Sequence, residues 1–374
     1  MIKRLYIDNY RSLVNFEITF DELTLLLGPN GSGKTSLLDV IYALRLLLSG
    51  TARLDGKDKE TAKVIFPAAS LTRWQSRTIQ VVEMDLLLND DELRYRLEIE
   101  HDRAIRKSRI RTEKLESLGR PLFIFQDGDV QLFRDDHSVG PVFGADWMES
   151  NLARVPPRQD NQRLTRFLEF MRKIVICGLY PASVQTESDS EDAMLARDAG
   201  NFADWYRHVV QERQDLVLDF VQSLRDVIDG FQGIRLEKVG VDTRAVQVMF
   251  NQFNQKFELR LDELSDGQRA LIVLYALVQL AAGQGYTLFL DEPDNYVALP
   301  EIQPWLFKLT DACGVQLPQA VICSHHPELI DFLAVNNGKV LRREVSGATT
   351  VRSAQDLDSI PGMKLSEAVA RGWE

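Results

Sequence analysis

The sequence predicts an α/β fold in two lobes, with an antiparallel β-meander in the first lobe and a short helical insertion between the two. Three observations carry that prediction. An apolar run, Leu23–Leu27, leads into a glycine-rich loop and then a helix-like run over 36–48. Two further apolar runs of strand length, 286–290 and 320–323, end in polar side chains, as buried parallel strands do at their C-terminal edge. Residues 79–135 hold period-2 segments such as Ile79–Leu88 and 93–100, the pattern of half-buried strands.

Taken in order, residues 1–48 read as two strands, the glycine-rich loop and a long helix, and with the meander they form lobe I over residues 1–135. Residues 136–233 read as a mainly helical insertion or lid. Within it, 163–176 and 201–231 have helical periodicity, with Val209, Leu216, Phe220 and Leu224 on one stripe that reads as core packing. These helices flank an acidic, serine-bearing segment, 187–192, that reads as an exposed loop. Residues 234–374 return to strands and helices as lobe II, where 270–282 reads as a buried helix.

Composition narrows the class. With 374 residues, 45% apolar and 26% charged, the chain is long enough to bury a large core. No run of eighteen uncharged apolar residues exists and the N-terminus enters a strand, so neither a membrane span nor export is expected, and the expected location is cytoplasmic. Cys177, Cys313 and Cys323 show no C-x-x-C spacing and read as reduced thiols.

Gly28-Pro29-Asn30-Gly31-Ser32-Gly33-Lys34-Thr35 fits G-x-x-x-x-G-K-[ST] at every fixed position, between the strand and the helix that the motif requires. Backbone N–H groups of residues Asn30 to Ser36 would hold phosphate oxygens, Lys34 would reach the β- and γ-phosphates, and Thr35 would hold Mg²⁺. The expected ligands are therefore ATP and Mg²⁺. The strand ending in Asp291-Glu292 delivers two acids. Asp291 would assist the metal, and Glu292 is placed to polarise an attacking water. After the strand 320–323, His325 can hydrogen-bond the γ-phosphate or that water. His325 and His326 are adjacent and so face opposite ways on a strand, with no Cys/His cluster beside them, which argues against a metal pair. Leu264-Ser265-Asp266-Gly267-Gln268-Arg269 precedes the buried helix. Its serine is either a simple N-cap or, with the exposed N–H groups, an anion site.

Together these four motifs resemble the ABC-type ATPases, in the branch that holds RecF, the SMC proteins, the break-repair ATPases and the overcoming-lysogenization-defect (OLD) proteins. Three weaker elements add to the likeness: Asn9-Tyr10-Arg11-Ser12; Glu113-Lys114-Leu115, which resembles an element that the branch carries after a β-meander; and Gly200-Asn201-Phe202. The resemblance implies an ABC-type head fold and an ATP sandwich between two protomers, with Ser265, Asp266, Gly267 and Gln268 acting in trans on the partner's γ-phosphate. It places Arg11 near the phosphate loop, either touching nucleotide or as a surface arginine. Where the branch carries Leu-His-Pro after its acids, this chain has Tyr296-Val297-Ala298-Leu299-Pro300, so that histidine's role does not carry over. The glutamine that couples Mg²⁺ to the head has two candidates by position, Gln75 and Gln80.

About 230 residues separate Thr35 from Leu264, more than a transporter ATPase uses, yet no sustained heptads mark an SMC-type arm. A net charge of −11 repels phosphate, so DNA or RNA contact would need a local patch. One candidate is 101–114, where Lys107, Arg109 and Arg111 would share a strand face; the other is Arg154, Arg158, Arg163, Arg166, Arg172 and Lys173. Two roles follow from the resemblance, a DNA-clamping repair ATPase or a homodimeric switch controlling a separate effector, a nuclease or toxin, in anti-phage defence; a third reading is a slow scaffold that binds ATP tightly and uses it mainly for assembly. The 48 residues after His326 are too few for the Toprim nuclease of OLD proteins, so the effector is expected on another chain.

Overall fold

The period-2 segments pair into one eight-stranded antiparallel sheet, in the order Phe16–Thr19, Ile2–Asp8, Ile79–Leu88, Asp91–Asp102, Lys107–Ser117, Arg120–Gln126, Asp129–Phe133 and Val139–Gly144. Register puts Val82, Met84 and Leu86 opposite Leu97, Tyr95 and Leu93, so one face of each strand is buried while its alternate residues reach solvent. At Asp127-Gly128 both residues have positive φ, 53° and 89°, which is the conformation that a two-residue hairpin turn demands. The computed structural model describes residues 1–58, 64–356 and 366–367, with Leu299 and Glu328 described by backbone alone.

Two compact units emerge: Met1–Ile174 with Asp331–Glu374, and Val175–Ile330. In the first unit, strand Leu23–Leu27 is wholly buried and pairs in parallel with Gly338–Arg343, which turns back antiparallel onto Thr349–Ser353. The helix Lys34–Leu48 is buried on nearly every side, as its mainly apolar content from Leu37 onward requires.

In the second unit, strands Thr287–Asp291 and Gln319–Cys323 run parallel, fully buried apart from their ends. Helix Asp266–Gln279 buries every residue from Ala270 to Val278, and Trp305 of helix Leu299–Ala312 donates its Nε1–H to the Leu274 carbonyl at 2.9 Å. A separate antiparallel sheet forms from Phe231–Lys238, Arg244–Gln252, Gln255–Arg260 and the short strand Glu187–Ser188.

Two expected helices are shorter than their periodicity suggests. The first ends at Arg172, and Ile174–Cys177 is a strand, because the β-branched Ile174-Val175-Ile176 favours extended backbone. The second is two helices, Phe202–Glu212 and Gln214–Arg225, parted at Arg213, whose φ of −134° leaves the helical region. Gly230, at φ 75°, then turns the chain into the next strand.

The three weaker elements prove to be polar anchors, buried at Asn9 and Glu113 and half-buried at Asn201. Asn9 donates its amide to the carbonyls of Arg77 and Ile79 and accepts from the Thr72 N–H. Asn201 accepts from the Ala196 N–H and donates to Asp192 and the Met194 carbonyl, pinning the preceding loop. Glu113 is fully buried; its Oε1 accepts from Tyr95 Oη at 2.9 Å and Ser150 Oγ at 2.6 Å. Burial pushes this carboxyl up from its ordinary 4.5 to about 7, against the lowering effect of those hydrogen bonds.

A raised carboxyl pKa means that the folded state holds the proton more tightly than the unfolded chain. Glu113 therefore contributes stability below about pH 4.5 that is lost as pH rises to about 7. Glu113→Gln, which cannot ionise, is expected to lack this slope. Between pH 5 and pH 8 the wild-type Tm should fall by about 5 °C more than the variant's, as thermal melts across that range would read.

Candidate nucleotide site

The first unit supplies the phosphate loop. Gly28 has φ 135°, and a Cβ there would sit 2.1 Å from the Leu341 carbonyl oxygen, so only glycine lets the loop lie against strand Gly338–Arg343. Lys34, buried, folds its ammonium back to the carbonyls of Gly28 at 2.5 Å and Pro29 at 3.3 Å. Asn30, Gly31 and Thr35 are exposed and Ser36 is half-buried, while the first-turn N–H groups of Lys34, Thr35 and Ser36 have no intrahelical partner. Ser32 Oγ is buried without a hydrogen-bond partner. An exposed hydroxyl, unspent N–H groups and the positive end of a long helix fit a phosphate chain.

One residue that brings this loop into place carries no sequence signal. Thr349, far along the chain, donates its hydroxyl to the Ser32 carbonyl at 2.8 Å and lies 2.9 Å from Ser12 Oγ, and its N–H bonds the Ser12 carbonyl. A threonine in a strand is ordinary, so its task is visible only in three dimensions. Arg11, at φ 51°, pairs with Asp39 at 2.6 Å, reaches Ser36 Oγ at 3.3 Å and lies over the Tyr10 ring, which puts it at the flank of the loop helix.

In the second unit the acids and the histidine meet. Glu292, at φ 49°, donates its N–H to the Cys323 carbonyl at 2.8 Å, which ties the turn after one strand to the end of the next. Its Oε1 lies 3.3 Å from His325 Nδ1, and its Oε2 accepts from Asn295 Nδ2 at 2.7 Å. Asn295 is a second residue that the sequence did not single out. Asp291 is half-buried opposite Cys323, and Ser324 Oγ accepts from the His326 N–H, which fixes the two histidines differently.

The signature segment lies in the same unit. Ser265 is the N-cap of helix Asp266–Gln279: its Oγ accepts from the Gln268 N–H, and Gln268 Oε1 returns to the Ser265 N–H. Ser265 and Asp266 are exposed and Gly267 is half-buried, with the Tyr296 carbonyl 2.9 Å from where a Cβ would stand. The signature thus abuts the loop that follows Glu292. Asp266 is held by Arg269 at 2.6 Å, and Arg269 also donates to the Pro181 carbonyl.

Other expected residues serve the fold. Gln80 is buried, donating to the Asn9 carbonyl and Ser70 Oγ and meeting His101 at 2.8 Å, while Gln75 accepts from Arg77. Lys107, Arg109 and Arg111 do share one exposed face. His101, by contrast, is buried between Gln80 and Ser108, and burial lowers its pKa to about 4, so it adds no charge there. In the second set, Arg154, Arg158, Arg163 and Arg166 each pair with a carboxylate, which cancels most of that patch. Among the described residues no helix is long and apolar enough to cross a membrane.

The family described as "AAA domain, putative AbiEii toxin, Type IV TA system" matches residues 23–331. Curated relatives match over short stretches only. The sulfate/thiosulfate import ATP-binding protein CysA 2 of Shewanella oneidensis is 51% identical over 51 residues, 14% of this chain and 14% of that protein. The zinc import ATP-binding protein ZnuC of Anaplasma marginale is 46% identical over 44 residues, 12% of this chain and 18% of that protein. This chain therefore spans under a fifth of either relative. Solved folds match throughout. An SMC head bound to the C-winged helix domain of ScpA shares 13% identity at TM-score 0.54, covering 98% of this chain and 99% of that one. An SMC head with an extended coiled coil, bound to the C-terminal domain of ScpA derived from Pyrococcus furiosus, shares 12% identity at TM-score 0.52, covering 99% and 98%. With its phosphate loop, paired acids and signature helix on the fold that these SMC heads share, the chain belongs to the AbiEii-type AAA family.

Proposed function

We propose that this ATPase closes as a homodimer around ATP and Mg²⁺, and that closure controls a separate effector as a regulatory or sensor subunit in anti-phage defence. The observation that carries the sandwich is the signature helix: Ser265 and Asp266 stand exposed at a capped helix N-terminus, held by Gln268 and Arg269. Such an end suits the γ-phosphate of a nucleotide held by another protomer. In this reading Lys34 and the loop from Asn30 to Ser36 hold the phosphates, Thr35 and Asp291 hold Mg²⁺, Glu292 orients water and His325 senses the γ-phosphate. Mg²⁺ supplies neutralisation of phosphate charge. The switch role draws on the family's description, which names a putative toxin and a toxin–antitoxin system, and on the net charge of −11.

The test is solution mass. Glu292→Gln protein with ATP and Mg²⁺ should double its mass, and Ser265→Arg in that background should stay monomeric, because a long cation at the cap blocks the second protomer. A mass unchanged by ATP, with no difference between the two proteins, would sink the sandwich.

The DNA-clamp alternative rests on one feature, the exposed face of Lys107, Arg109 and Arg111. It requires salt-dependent DNA binding that weakens when all three are changed to glutamate.

A further inference from the structure

We infer that Trp74, backed by Arg343, is the platform on which the nucleoside base of the bound triphosphate stacks; this rests on the phosphate-loop reading above. A cavity of about 390 Å³ opens directly beside the loop, lined by Gly31 and Ser36 on one side and by Arg11, Leu71, Trp74 and Arg343 among its other walls. That volume falls within the range of about 300–1,000 Å³ typical of small-molecule sites. No motif marks a base contact, so this cavity is where the sequence was silent.

Trp74 is 46% exposed, a large aromatic surface beside the phosphate loop. The Arg343 guanidinium stands 5.6 Å from the centroid of its ring, and Arg343 Nε is anchored to the Gly347 carbonyl at 3.1 Å. Gly347, at φ 85°, lies flat against the indole; a Cβ there would come within 3.3 Å of it. The indole is thus held by a turn and a cation, and the half-exposed ring lines the cavity.

The segment bearing Trp74 is also fixed to the phosphate loop's flank. Thr72 donates its hydroxyl to the Arg11 carbonyl at 2.9 Å, and the Arg11 N–H bonds the Ser70 carbonyl at 2.7 Å. Arg11 in turn holds Asp39 and Ser36 of the loop helix. A nucleotide whose phosphates lie on residues 30–36 would thus find a rigid aromatic plane across a cavity of nucleoside size, with little ordering left to do on binding.

An aromatic plane reads the π-face of a base and not its hydrogen-bonding edge. ATP and GTP should therefore bind within about ten-fold of each other, and both should lose affinity together when the platform is removed.

Calorimetric titration of ATP and of inorganic tripolyphosphate separates this proposal from the one beneath it. Trp74→Ala should weaken ATP by about ten- to a hundred-fold and leave tripolyphosphate unchanged, and Trp74→Phe should recover most of the loss. Arg343→Ala should weaken ATP in the same direction by a smaller factor. Wild-type affinity for ATP in Trp74→Ala, with tripolyphosphate still bound, would overturn the base platform alone. Tripolyphosphate that binds Lys34→Ala as well as wild type, or binds neither, would overturn the phosphate-loop reading and the platform with it.

Discussion

Glu292→Gln is expected to lower ATP turnover by about a hundred- to a thousand-fold while leaving ATP affinity within a few-fold of wild type. Glutamine keeps the shape of the side chain and an acceptor for Asn295 Nδ2, but it cannot take a proton or bear the charge that draws a water into line. The geometry supports that division of labour. The left-handed backbone at Glu292, φ 49°, and its N–H bond to Cys323 fix where the side chain starts, and contacts to His325 and Asn295 fix where it ends. A non-glycine residue in that region costs about 1–3 kcal/mol, which persists where the surroundings impose it. Asn295→Ala removes one orienting contact and should cost about ten-fold at most. Phosphate release under single-turnover and steady-state conditions measures both. Equal rates for wild type and Glu292→Gln would remove Glu292 from the chemistry and favour a slow scaffold that uses ATP for assembly.

Gly28→Ala is expected to abolish nucleotide binding and to destabilise the first unit by several kcal/mol. The added methyl would stand 2.1 Å from the Leu341 carbonyl oxygen, a backbone atom in a paired strand that cannot rotate away. Relief would require parting Leu23–Leu27 from Gly338–Arg343, and with it the Thr349 hydroxyl that braces Ser32. Gly31→Ala provides the contrast. Gly31 also has positive φ, 82°, but nothing lies within 4 Å of its Cβ position, so the cost is confined to the backbone preference, about 1 kcal/mol. Thermal melts with and without ATP read the difference. A Gly28→Ala protein that melts and binds like Gly31→Ala would contradict the close approach.

The motifs were legible because their physics is local. A glycine-rich loop between an apolar strand and a helix, two acids at a strand end, and a serine three residues before its capping glutamine each state their geometry within a few residues. Periodicity likewise located the meander, since alternation is a property of one strand at a time. It failed at Arg213 and at Ile174–Cys177, where an apolar stripe continues across a break in the backbone and helical and extended readings share the same residues.

What lay beyond the sequence was every contact between distant positions. Thr349 on Ser32, Leu341 over Gly28 and Trp74 under Arg343 involve residue types that occur anywhere, and only their meeting gives them a task. The basic segment around His101 shows the same limit from the other side. Its charges are plain in the sequence, yet burial strips His101 of charge and leaves Lys107, Arg109 and Arg111 on the outside. The sequence by itself thus determined the phosphate loop, the acid pair and the signature segment, because residue types and their spacing are written in order along it. The tertiary structure decided which side chains hold that chemistry in place and which only resemble it, because burial and long-range packing set the partner, the orientation and the charge of each group.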